Sequence, residues 1–189
     1  MVRAVFPGTF DPTHYGHIDI ALRASRLFDE IIFAVYDKPL KNLLFSPDER
    51  IRLAVSSRIE QTKIRVMGYS GLTVNFCKKV HAKVIVRGLR VFSDFEYEFR
   101  IALANKRLSD DIDAVALITR EEHTFLSSTT VKEIAALHGD VSTMVPPNVN
   151  RALKAKFKKL GEDQEMIVTT SLRDGEQIYL QVVKPYEKE

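Results

Sequence analysis

A single cysteine, Cys77, stands among the 189 residues. It has no partner for an internal disulfide and cannot build a thiolate zinc site, which points to a reducing compartment. No apolar run approaches the ~20 residues that a membrane span needs. The N-terminal MVRAVFPGTFDP is too short in its apolar run, and too soon interrupted, to act as a signal peptide. A soluble, cytoplasmic protein without a membrane partner is expected. Glycine is scarce. Its eight positions (8, 16, 68, 71, 88, 139, 161 and 175) contain no GxGxxG fingerprint and no Walker lysine. Any phosphate must therefore be held another way. Internal repeats and low-complexity linkers are missing too. A composition 45% hydrophobic and 28% charged excludes collagen, coiled coil and general disorder. The length suits one compact domain with an appendage.

The net charge of +3 hides an asymmetry. Residues 1–160 hold 25 Lys and Arg against 18 Asp and Glu, a balance of +7, and residues 161–189 hold 3 against 7, a balance of −4. A basic body suits a polyanionic ligand, a nucleotide, nucleic acid or anionic lipid, although a solvated surface that leans basic would look the same. The cations cluster at strand ends while the aromatics fall at core spacing, with no exposed stacking stripe. That argues against a nucleic-acid partner.

Short apolar runs rich in Val, Ile and Phe alternate with helical patterns. Strands are predicted at Arg3–Phe6, Ile31–Tyr36, Ile64–Met67, Lys83–Arg87 and Ala114–Ile118, each suited to burial on both faces. Ile18, Leu22 and the Leu27–Phe28 pair mark a helix after the first strand. Ser46-Pro47-Asp48-Glu49 is a capping box with proline at the first helical position. Asp94–Leu108 carries Phe95, Phe99 and Leu103 on one stripe, Ser128–Leu137 follows the fifth strand, and Asn148–Leu160 forms a basic helix. Alternation of this kind means a doubly wound α/β domain with right-handed crossovers. Residues 1–160 are expected to form that domain, and 161–189 a β-hairpin extension with its turn at Arg173-Asp174-Gly175-Glu176.

Ligands of a doubly wound sheet bind at the carboxyl ends of its strands. After the first strand, Gly8 and Gly16 suggest close backbone approach to a ligand, with the Thr9 hydroxyl beside it. His14 and His17 lie three apart, on one face of a helical turn. They could start a metal site, for which Asp11 is the one nearby third ligand, or pack at a helix start, or contact phosphate. Lys41 follows the second strand, as a solvated side chain or as a group reaching into the cleft. Arg87 and Arg90 flank Gly88 as an anion fork, or else pair with Asp94, Glu96 or Glu98. Ser127-Ser128-Thr129-Thr130 places four hydroxyls at a helix start, more than one N-cap uses. Together with backbone amides and the helix dipole they suit a polyphosphate.

GTFDPxHxGH, the lysine after strand two, RGLR, DFEYE and SSTxVKE occur in this order. They resemble the nucleotidyltransferases with the T/HxGH signature, and within them the pantetheine-phosphate adenylyltransferases. The resemblance spans about residues 2–160. His14 stands where threonine is common, and residues 161–189 lie beyond the family's usual end. It implies a Rossmann-like five-stranded parallel sheet with helices on both faces. The implied activity is transfer of AMP from ATP to 4'-phosphopantetheine, giving dephospho-coenzyme A and pyrophosphate. This is the penultimate step of coenzyme A synthesis, with dephospho-coenzyme A or coenzyme A as product or feedback ligand. Magnesium would ride mainly on ATP phosphates, with no protein metal site, and a homohexamer is implied. By matching position, Thr9, Lys41, Thr73 and Arg87 contact phosphopantetheine. ATP falls to Thr9, Phe10, His17, Gly88, Leu89, Arg90 and Glu98, together with His123, Thr124, Phe125, Leu126, Ser127, Ser128 and Thr129. His17, Lys41 and Arg90 are the expected catalytic residues. Two other readings remain: an adenylyltransferase for another phosphorylated acceptor such as nicotinate mononucleotide, and a non-catalytic nucleotide-binding module. The RGLR and DFEYE segments argue against the first, and the intact set of cleft residues argues against the second.

Overall fold

The computed structural model describes residues 1–38, 43–59, 63–162, 167–171 and 177–181. Five strands form one parallel sheet: β1 (Arg3–Gly8), β2 (Glu30–Tyr36), β3 (Ile64–Tyr69), β4 (Val84–Leu89) and β5 (Asp113–Ile118). Their spatial order is β3-β2-β1-β4-β5. The chain winds outward from β1 to β3, then returns to lay β4 against the other side of β1. The order thus reverses between β1 and β4, and a crevice opens at their carboxyl ends. Strand alternation fills two core layers. Ala4, Phe6, Ile31, Phe33 and Val35 pack on one face with Ile20, Ala21 and Ala24, while Val5, Ile32, Ala34 and Ile85 pack on the other with Val74 and Cys77.

Six α-helices connect and cover the sheet among the described residues. α1 (Tyr15–Leu27) follows β1, and α2 (Pro47–Ala54) begins at the anticipated capping box. There Glu49 N–H donates to Ser46 Oγ over 3.2 Å, and Ser46 N–H donates to Glu49 Oε2 over 2.7 Å. α3 (Thr73–Lys79) is a seven-residue helix that no periodic pattern announced. α4 (Phe92–Leu108) follows β4, and α5 (Ser128–Ala136) and α6 (Pro147–Glu162) share a third apolar cluster of Val131, Val145, Val149, Leu153 and Phe157. No helix among the described residues is long and apolar enough to cross a membrane.

Two expectations are corrected. The α4 stripe does not face the chain's own core: Phe92, Phe95 and Phe99 are 88%, 50% and 52% exposed and stack in a ladder. So an exposed aromatic stripe does exist. β5, at the end of the sheet, is also largely exposed rather than buried on both faces, because no further strand among the described residues pairs with its outer edge. Beyond α6, β6 (Ile167–Ser171) and β7 (Gln177–Gln181) pair antiparallel as a separate two-stranded ladder. The turn expected at 173–176 lies outside the described residues.

Candidate active site

The crevice between β1 and β4 holds a cleft of about 300 Å³. Its floor is built from β1's end. Phe10 takes the left-handed conformation, φ 52°, which few non-glycine residues adopt. The turn buries its ring against Phe33 at 3.9 Å between centroids and edge-on to His17 at 4.9 Å. A Cβ at Gly8 would sit 2.7 Å from the Phe10 ring. The Phe10 ring therefore requires glycine at position 8, which also lines the cleft. Likewise a Cβ on Gly16 would meet the His14 ring at 3.1 Å.

His14 and His17 do share a face, their rings stacked at 3.6 Å, and His14 N–H donates to His17 Nδ1 over 3.3 Å. Burial, with help from Arg90 and His123 nearby, pulls the His14 pKa down to about 3, so this imidazole is neutral at pH 7. Asp11 does not join the histidines as a metal ligand. Its carboxylate accepts the Leu44 and Phe45 amides, each at 2.9 Å, and the Lys132 ammonium at 2.9 Å.

On the β4 side, both arginines adopt the ion-paired alternative while still lining the cleft. Arg87 grips both carboxylate oxygens of Glu98, with Nε to Oε2 at 2.6 Å, and donates to Pro7 O at 2.9 Å. Arg90 pairs with Asp94 at 3.0 Å and donates to Leu126 O at 2.9 Å, pinning the segment ahead of α5. At that helix start Ser127 is the N-cap, accepting from Thr130 N–H over 2.9 Å, and Ser128 Oγ donates to Pro12 O. Three of the four hydroxyls are thus occupied by capping and tethering, since the Thr130 hydroxyl also lies 2.9 Å from Ser127 Oγ. Ser127, Ser128 and Thr129 nevertheless line the cleft, together with His123 and Thr119.

The fold brings together Phe10, His17, Arg87, Gly88, Arg90, Glu98, His123 and Ser127–Thr129. Thr9, Leu89, Thr124, Phe125 and Leu126 flank this set without lining the cleft. Thr73, the first residue of α3, is also off the cleft wall, its hydroxyl 3.0 Å from Tyr69 OH. Lys41 lies outside the described residues. Sequence reasoning missed Thr119, and it missed Arg50 entirely. Arg50 is fully buried and donates to four carbonyls: Thr9 and Tyr36 at 2.8 and 2.6 Å, Phe45 and Asp37 at 3.2 Å each. Desolvation lowers its pKa, and Asp11 and Asp37 push it back up. An arginine within an ordinary capped helix carries no local sign of this task.

Such a cleft offers cations, hydroxyls and a helix N-terminus, the chemistry of a bound triphosphate. A cytidylyltransferase-like family model matches residues 5–134, the stretch that builds both sides of the crevice. Phosphopantetheine adenylyltransferases match far more of the chain. That of Roseiflexus castenholzii is 52% identical over 157 residues, 83% of this chain and 98% of the relative. The chain belongs to the phosphopantetheine adenylyltransferase family. The enzymes of that name from Desulfitobacterium hafniense and Staphylococcus haemolyticus are 46% and 45% identical, over 82% and 83% of this chain and 94% and 98% of the relatives. The family's members are nucleotidyltransferases, and this chain is an enzyme of that class. The family model's match begins in β1 and runs through the helix starts that wall the cleft, so the shared segment is the one that shapes the site.

Proposed function

We propose that the chain transfers AMP from ATP to 4'-phosphopantetheine, giving dephospho-coenzyme A and pyrophosphate. The observation that carries the reading is the cleft at the β1–β4 switch point, walled by His17, Arg87, Arg90 and the hydroxyl-bearing start of α5. A phosphate monoester has its second pKa near ~6 and is largely dianionic at pH 7, so the attacking oxygen needs no general base. Catalysis then reduces to in-line alignment and neutralisation of developing charge, without a covalent enzyme intermediate. His17, with Lys41, acts at the α-phosphate, where charge develops. Arg90 and Ser127–Thr129 hold the β- and γ-phosphates. Thr9 and Arg87 orient the acceptor, with Thr73 beside it. His14 Nδ1 is buried on the cleft wall with no hydrogen-bond partner among the described residues, which suits a polar contact with bound substrate.

Magnesium fits this site as an ion carried by the substrate. The cleft carboxylates Asp94 and Glu98 are each paired with an arginine, and no cluster of three metal-ligating side chains occurs among the described residues. Carried in with ATP, the ion would supply charge neutralisation beside Arg90 and Ser127–Thr129. The exposed Phe92–Phe95–Phe99 ladder beside the uncovered β5 edge supports assembly into a homo-oligomer, a hexamer by family resemblance. The lone, buried Cys77 suits a reducing, cytoplasmic setting.

Pyrophosphate release from ATP, dependent on added 4'-phosphopantetheine, tests the activity. Its absence with this acceptor, or its presence with nicotinate mononucleotide, would overturn the assignment. For the roles, His17→Ala is expected to lower kcat by the equivalent of roughly 3–4 kcal/mol with little change in ATP KM. A normal kcat with a raised KM would remove His17 from the transition state.

A further inference from the structure

We infer that Lys132 and Asp11 are a positioning pair that holds the start of α5 in register with the loop after β1. The inference rests on the reading above, in which Ser127–Thr129 hold the triphosphate while Thr9, just after β1, orients the acceptor together with Arg87.

The pair joins residues 121 positions apart: Lys132 Nζ donates to Asp11 Oδ2 over 2.9 Å, with Asp11 almost fully buried. Neither side chain lines the cleft. Lys132 follows Ser128 by four residues, which puts both on one face of α5. Ser128 makes a second tether to the same loop, Oγ to Pro12 O at 2.9 Å. The neighbouring stripe of α5, Val131 and Ala135, is held differently, in the apolar cluster with α6. Apolar contacts are undirected and leave rotation and sliding of the first turn open, whereas the two polar tethers set its direction.

The loop end of the pair is itself braced. Asp11 accepts the Leu44 and Phe45 amides. Arg50 takes Phe45 O together with Thr9 O from β1's end and Tyr36 O from β2's end. Asp11 therefore stands on a rigid frame shared by β1, β2 and residues 44–45. The Asp11 carboxylate has its two amide donors without Lys132. What the lysine adds is a link from that frame to α5. In an in-line transfer the two reactive ends must meet within a fraction of an ångström, and a loosened register costs rate more than ground-state binding.

The test uses the full-length protein and initial-rate pyrophosphate release with ATP and 4'-phosphopantetheine both varied. Lys132→Met is expected to lower kcat roughly 10- to 100-fold while both KM values stay within about three-fold. The reverse reaction should lose the same factor, since it crosses the same transition state. Lys132→Arg, which restores a cation to Asp11, should recover most of the loss. If the methionine variant does not fold, Lys132→Gln is held to the same criterion. A folded variant with wild-type kcat overturns the inference, and so does a loss confined to ATP KM, which would make Lys132 a phosphate contact. Wild-type protein without acceptor-dependent release would instead overturn the underlying reading of the site.

Discussion

His14 shows how one buried residue links stability to pH. Its pKa in the fold, about 3, lies below the 6.5 of an unconstrained histidine because burial penalises the charged ring. The unfolded chain therefore binds the proton first. The stabilisation is complete above pH 6.5 and is lost as pH falls from 6.5 towards 3. His14→Thr should flatten thermal or denaturant stability across this window, removing a slope of up to about 1.4 kcal/mol per pH unit. An unchanged slope would mean that the ring is protonated in place. Cys77 gives a second expectation. Its thiol is buried and its pKa is pushed up to about 12, so the native protein should resist aromatic disulfide reagents until it unfolds. Stoichiometric labelling of folded protein would contradict that. The motif residues were legible because a histidine, an arginine pair or a run of hydroxyls at a strand end is a local pattern. Their partners were not, since Glu98 and Glu96 are equally placed on paper to take Arg87.

At the level of elements, the loop after β1 depends on a glycine and an aromatic ring that meet only in three dimensions. Gly8→Ala would thrust a methyl into the Phe10 ring, which cannot retreat because Phe33 stacks behind it. Overpacking of this kind costs typically 1–3 kcal/mol, to be read from a shift in the thermal midpoint. kcat should fall too, because Phe10 also packs edge-on to His17. Wild-type stability and rate would show that the loop relaxes freely. The strands were recognisable because parallel strands are continuous apolar runs, β5 included although it is largely exposed. α2 was recognisable by its capping box. α3 was hidden: Thr73–Lys79 is too short for a helical period, and Thr73 and Val74 are β-branched.

On the scale of the whole molecule, the α4 ladder is a run of stacked, exposed aromatic rings. If it is the assembly surface, Phe95→Ser with Phe99→Ser should convert a sedimenting oligomer to monomer while leaving the cleft residues in place. Wild-type protein that is monomeric at micromolar concentration would remove that role.

From the sequence by itself came the alternation of strand and helix, the strand-end motifs and the family. Each of these is written in local order and spacing. Whether an apolar stripe at helical period faces its own core or a second chain cannot be read that way, since both burials demand the same pattern. Tertiary structure alone showed that the α4 stripe does not face the chain's own core. It also decided that Arg87 meets Glu98, that Arg50 gathers carbonyls from three segments, and that Asp11 and Lys132 touch across 121 residues. Those contacts exist because the sheet order brings distant chain segments to one edge, and that proximity has no signature in sequence spacing.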